Sequence, residues 1–141
     1  MHLVIIINSL IISVAVIVHY EVLERLSILM PKLPVRHRSR IVAGIFGALL
    51  AHIIEIWIFA VAYYEMVDSR TFGTIHGYLQ PDLLNCAYFS FITYTTLGYG
   101  DLYPEGNIRF LAGLESLTGL VLITWTASFM FFEMQKYWES D

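Results

Sequence analysis

The chain has 141 residues, of which 57% are hydrophobic, 15% aromatic and only 14% charged, with a formal net charge of −4. Soluble domains carry roughly 25% charged residues, so most of this chain's apolar surface must face something other than water. Disorder, a disulfide scaffold and a nucleic-acid-binding module are excluded by the apolar content, by a lone cysteine and by only 8 Lys and Arg.

The first apolar segment, residues 3–18, is interrupted only by Asn8, Ser9 and Ser13. It is short for a hydrocarbon core of about 30 Å and draws on Met1, His2, His19 and Tyr20 to reach the interfaces. Its amino end lacks Lys and Arg and no small-x-small cleavage site follows, so it reads as a retained span rather than a signal peptide. Over residues 20–30, Val22, Leu23, Leu26 and Leu29 share one helical face, which predicts an interfacial helix ended by Pro31 and Pro34. The basic run at 36–40 reads as a topology signal in contact with lipid headgroups; a lipid-regulated gating handle is the sharper alternative. Residues 1–40 thus form an amino-terminal helix and linker, and residues 41–134 the main unit.

The second span, 41–67, contains His52 and Glu55, and the last apolar run, 110–134, belongs to a helix predicted over 109–134 that contains Glu115. Between them, residues 83–97 are apolar but too short to cross. Gln80, Pro81 and Asp82 open this stretch, with proline favouring a helix start and Asp82 able to cap it, so a half-helix over 83–95 is expected. A re-entrant segment flanked by two spans implies an aqueous pathway, because non-helical backbone at membrane depth must be buried in protein or line water. Cys86, within it, reads as an inert packed thiol. Residues 135–141 are a short tail.

Five of the eight basic residues, Arg25, Lys32, Arg36, Arg38 and Arg40, fall between the first two spans, which places that link in the cytoplasm. The amino terminus and residues 68–107 are then outside and the tail, with Lys136, inside. Tyr63 and Tyr64 lie toward the outer interface, and Tyr20, Tyr137 and Trp138 toward the inner one. A multi-pass protein of the cell (inner) membrane follows. Its outer side carries Glu65, Asp68, Asp82, Asp101 and Glu105 against Arg70 and Arg109, a net of −3 per chain.

The most specific signal is Thr95-Thr96-Leu97-Gly98-Tyr99-Gly100-Asp101. To strip an ion of water, backbone carbonyls must turn toward one axis at successive residues, which needs left-handed dihedrals at intervals; Gly98 and Gly100 fit that need. The motif resembles the selectivity filter of the potassium-channel pore-domain family. The likeness continues through Leu102-Tyr103-Pro104 and spans about two thirds of the chain. It is nearest to small prokaryotic channel-like proteins with an extra amino-terminal helix. Arg109 and Gly119 stand about where that family has an arginine and a hinge glycine, although their spacing from Pro104 is about one residue shorter than in small bacterial two-helix channels.

The resemblance implies potassium sites at the carbonyls of Thr96, Leu97, Gly98 and Tyr99 in a filter over 96–101 that includes Gly100, with the Thr96 hydroxyl at its inner end. It also implies support from Tyr88, Phe89, Thr95 and Asp101, with Tyr88 bonding Asp101. Leu97 and Tyr99 would point back into the protein, where Tyr88, Phe89, Phe91 and Tyr94 offer an aromatic cuff. One loop per chain requires four chains, hence a homotetramer. The fold class is therefore an all-α membrane protein: three transmembrane helices, a re-entrant pore helix and a filter loop, assembled as a tetramer in contact with membrane lipid. No cofactor, nucleic-acid partner or enzymatic activity is expected; potassium is the permeant ion.

From Gly119, Ile123, Ala127 and Phe131 follow on one face, and Phe131, with Met130 or Phe132, could form a constriction that closes by dewetting. His52 and Glu55, one turn apart in mid-span, read first as a hydrogen-bonded pair bridging to another helix, then as a pH-sensing element. A metal site is disfavoured because no third ligand is in view. Glu115 is expected behind the filter, bonding Arg109 or half-helix hydroxyls. No span carries arginine at every third position, so no voltage sensor is expected, and the tail is too short for a ligand-binding domain.

Three other functions compete. A non-selective cation channel would need an altered filter. An ion-coupled potassium transporter subunit repeats the loop within one chain and degrades its second glycine. A membrane sensor or metal enzyme built on His52 and Glu55 leaves the motif unexplained.

Overall fold

A computed structural model describes residues 2–77 and 82–138, with side chains through residue 136. The chain runs α1 (His2–Leu29), a 3-10 turn (Met30–Lys32), α2 (His37–Asp68), β1 (Gly73–His76), α3 (Leu83–Tyr94), β2 (Tyr103–Gly106) and α4 (Ile108–Trp138). Helices α1, α2 and α4 have 28, 32 and 31 residues. At about 1.5 Å per residue each exceeds the roughly 30 Å of a hydrocarbon core. All three are apolar enough to span a membrane. The 12 residues of α3 cannot cross.

The core is built around α3. Phe89, Ile92 and Tyr94 of that helix pack against Phe59 and Tyr63 of α2 and Leu111 of α4, all buried. Ala15 brings α1 into the same cluster. Large apolar side chains remain uncovered along the spans, among them Ile6 and Leu10 of α1, Phe46 and Leu50 of α2, and Leu117 and Leu120 of α4. Such faces suit lipid or further protein, not water.

The fold is mostly helical, as expected, with one short addition: β1 and β2 pair antiparallel, from Gly73 opposite Gly106 to His76 opposite Tyr103. That ladder joins the chain just after α2 to the chain just before α4. Three expectations from the sequence need correction. Residues 20–30 are not a separate interfacial helix but an unbroken continuation of α1. Leu23 is buried and Leu26 lies against Gly47 of α2, where an added β-carbon would come within 2.5 Å of its methyl. Their shared face is therefore occupied by a helix rather than by the membrane surface. The spans are also longer than their apolar cores, since α2 starts at His37 and α4 continues through Trp138, which makes the first part of the expected tail helical. Finally, His19 is not an interface residue; it is fully buried. The openings at Gln80 and Pro81, the side chains of Tyr137 and Trp138, and residues 139–141 lie outside the described residues.

Candidate functional site

Asp82 caps α3, its Oδ1 accepting from the Asn85 amide at 2.6 Å. The helix ends one residue before the expected boundary, at Tyr94, with Thr95 as its C-cap and the Thr95 hydroxyl donating to the Phe91 carbonyl at 2.7 Å. The chain then folds back on the helix it has left. The Thr96 amide donates to the Thr93 carbonyl and the Gly98 amide to that of Ile92, each at 3.0 Å. Positive φ values recur at every second residue: Thr96 at 59°, Gly98 at 51° and Gly100 at 83°. The glycines meet this need without a Cβ penalty, whereas Thr96 carries the strain of a β-branched residue in the left-handed region. Thr96 is a position the glycine pattern alone does not reveal.

At the far end of the loop the Tyr88 hydroxyl donates to Asp101 Oδ2 at 2.8 Å. The carboxylate that accepts this bond holds the Tyr88 phenol above its ordinary pKa. Leu102 then turns inward and is buried. The expected cuff is only partly assembled. Phe89 is buried edge-on to Tyr63, ring centroids 4.9 Å apart, while Phe91 is half exposed. Tyr94 turns away from the loop altogether, toward α2. Leu97 and Tyr99 do not enter their own chain; they are 55% and 68% exposed.

Helix α4 passes unbroken through Gly119. A Cβ there would sit 2.2 Å from the Tyr94 carbonyl oxygen, so the glycine lets α4 approach the end of α3. Ile123 and Ala127 line a cavity of about 530 Å³ with Leu49, Phe91 and Met130. Phe131 does not join them; it is exposed, with its ring centroid 6.0 Å from that of Phe132.

Two buried polar clusters lie along one face of α3, a helical turn apart at Ser90 and Tyr94. In the first, Glu115 accepts from Ser90 at 2.5 Å and from the Tyr63 hydroxyl. Ser90 Oγ also lies 2.8 Å from the Ile56 carbonyl oxygen, so two acceptors compete for its one proton. Of the two partners expected for Glu115, the half-helix hydroxyl is present, and Arg109 is exposed to solvent instead.

The second cluster centres on Glu55. Its Oε1 lies 2.8 Å from His19 Nδ1, and its Oε2 accepts from the Tyr94 hydroxyl and lies 3.2 Å from His52 Nδ1. His52 Nδ1 is also 2.8 Å from the Tyr94 hydroxyl. On the far side of both rings, Thr126 Oγ1 sits 3.3 Å from His19 Nε2 and 3.0 Å from His52 Nε2. Helices α1, α2 and α3 thus meet at one carboxylate, and α4 reaches the cluster through the two rings. His19, Tyr94 and Thr126 are members that sequence reasoning missed, and nothing in local spacing joins His19 to a residue 36 positions away. The only signal was a histidine at the end of an apolar run.

Among comparisons with known proteins, the family described as "Ion channel" matches residues 51–136. No curated protein and no solved structure gives a match. The matched region holds α3, the loop after it and both strands, together with most of α2 and nearly all of α4.

Proposed function

The chain belongs to the ion channel family, and we propose that within it this protein is a potassium-selective channel of the cell membrane whose filter is the loop 96–101. The observation that carries the reading is the alternation at Thr96, Gly98 and Gly100, each left-handed, with Leu97 and Tyr99 between them. In an extended strand successive carbonyls point to opposite sides. Reversing every second residue brings them to one side, which supplies the stacked oxygens that replace a potassium ion's hydration shell. The carbonyls of Thr96, Leu97, Gly98 and Tyr99 are the ion-binding groups in this reading.

A single loop provides one quarter of each oxygen cage, so the channel is a homotetramer about the conduction axis. The exposed Leu97 and Tyr99 support this, because ring closure gives both side chains a neighbouring chain to pack against. In the same arrangement α3 is a re-entrant pore helix. Its carboxyl end at Tyr94 directs partial negative charge toward the ion path and favours a cation there. The amino terminus is outside and the basic link between α1 and α2 cytoplasmic. The net of −3 per chain at the outer mouth, repeated four times, concentrates cations at the entrance.

Flux through liposomes containing the purified protein tests the proposal. Barium-sensitive potassium flux well above sodium flux is expected. Gly98→Ala should reduce potassium flux by at least tenfold. No atom lies within 4 Å of a Cβ built at Gly98, so within one chain the cost is conformational rather than steric. A left-handed alanine costs about 1–2 kcal/mol, and the tetramer incurs it four times. Equal sodium permeation would sink the claim of selectivity.

A further inference from the structure

We propose that His19, His52 and Glu55 form a binding site for one divalent transition-metal ion of the zinc class, with the Tyr94 hydroxyl at the fourth position. The ligand atoms of the first three residues all lie within 4.8 Å of one another. The closest approaches are 2.8 Å from His19 Nδ1 to Glu55 Oε1 and 3.2 Å from His52 Nδ1 to Glu55 Oε2. Bonds of about 2.0–2.1 Å at tetrahedral angles place neighbouring ligands about 3.3 Å apart, so small side-chain adjustments bring these atoms onto one ion. Two imidazoles and a carboxylate are a donor set that zinc accepts readily. The Tyr94 hydroxyl, 2.8 Å from His52 Nδ1, completes four.

The groups behind the ligands support the same conclusion. An imidazole bound to a metal through Nδ1 carries its remaining proton on Nε2 and needs an acceptor there. Both Nε2 atoms converge on Thr126 Oγ1, at 3.3 Å and 3.0 Å. A hydroxyl oxygen has two lone pairs and can accept from both rings at once. With an ion on both Nδ1 atoms, Thr126 Oγ1 would accept from both rings. Glu55 and His19 are fully buried, and a nearby positive charge favours an ionised carboxylate there. A divalent ion supplies that charge. Entry is through His52, whose side chain keeps 13% of its surface open and lines the cavity of about 530 Å³. Once bound, the ion would tie α1 to α2 and, through Tyr94, to the last residue of α3 before the loop.

The test uses the full chain purified in detergent, stripped with a chelator and dialysed against zinc, with metal content and zinc X-ray absorption as readouts. One zinc per chain is expected, with two imidazoles and oxygen ligands at about 2.0 Å. His19→Ala should weaken binding by on the order of 100-fold or more. Thr126→Val, which removes only the shared acceptor, should weaken it by about 10–100-fold. The absorption spectrum of the unaltered protein needs no variant to fold. Failure to retain zinc, a spectrum without imidazole ligands, or equal binding by His19→Ala would each overturn the proposal. None of these readouts depends on ion flux, so selectivity and metal binding stand or fall separately.

Discussion

Glu55 and Glu115 are both fully buried acids within membrane-spanning helices, and they meet α3 one helical turn apart, at Tyr94 and Ser90. They are satisfied in different ways. Glu115 is held by two hydroxyls, from Tyr63 and Ser90, which can donate a hydrogen bond but offer no balancing charge. Glu55 is held by one hydroxyl and two imidazoles, groups that can carry charge or bind a metal. The contrast separates two uses of intramembrane polarity. The Glu115 cluster fixes how three helices register against one another. The Glu55 cluster makes a similar junction among four helices but leaves it open to a proton or a metal ion.

Substitutions can break this contrast or sharpen it. The largest expected effect is that of Glu55→Ala, which strips the acceptor from His19, His52 and Tyr94 together and opens a cavity at the junction. A loss of about 3–5 kcal/mol is expected, read as a fall in thermal unfolding temperature in detergent. Tyr63→Phe comes next. It leaves Glu115 Oε2 buried without its donor and should cost about 1–3 kcal/mol in the same assay.

Glu115→Gln should cost least, under about 1 kcal/mol. The amide carbonyl still accepts from Tyr63, and the amide N–H can donate to Ser90, whose own proton is then free for the Ile56 carbonyl. Comparable losses from Glu55→Ala and Glu115→Gln would erase the distinction between the two clusters.

Features encoded by neighbouring residues could be read from the sequence, and those made by distant partners could not. Three spans followed from apolar length, and the start of α3 from the capping capacity of Asp82. The left-handed turns at Gly98 and Gly100 followed from what stacked carbonyls require. The strands escaped notice because each has only four residues, and Gly73–His76 gains its structure by pairing with Tyr103–Gly106, on the far side of α3. Membership of His19 in the Glu55 cluster depends on how α1 lies against α2 and α4, which no local pattern records. The aromatic character of Tyr94 points to the cuff, yet its hydroxyl finds an acceptor on α2.

The short ladder between β1 and β2 bears on mechanics as well as shape. It pins together the two ends of a stretch that contains all of α3 and the loop 96–101. That stretch behaves as a closed ring rather than as a tether strung between two helices. A pull on the start of α4 is therefore shared across backbone hydrogen bonds with the chain leaving α2, and the loop is loaded from both of its ends at once.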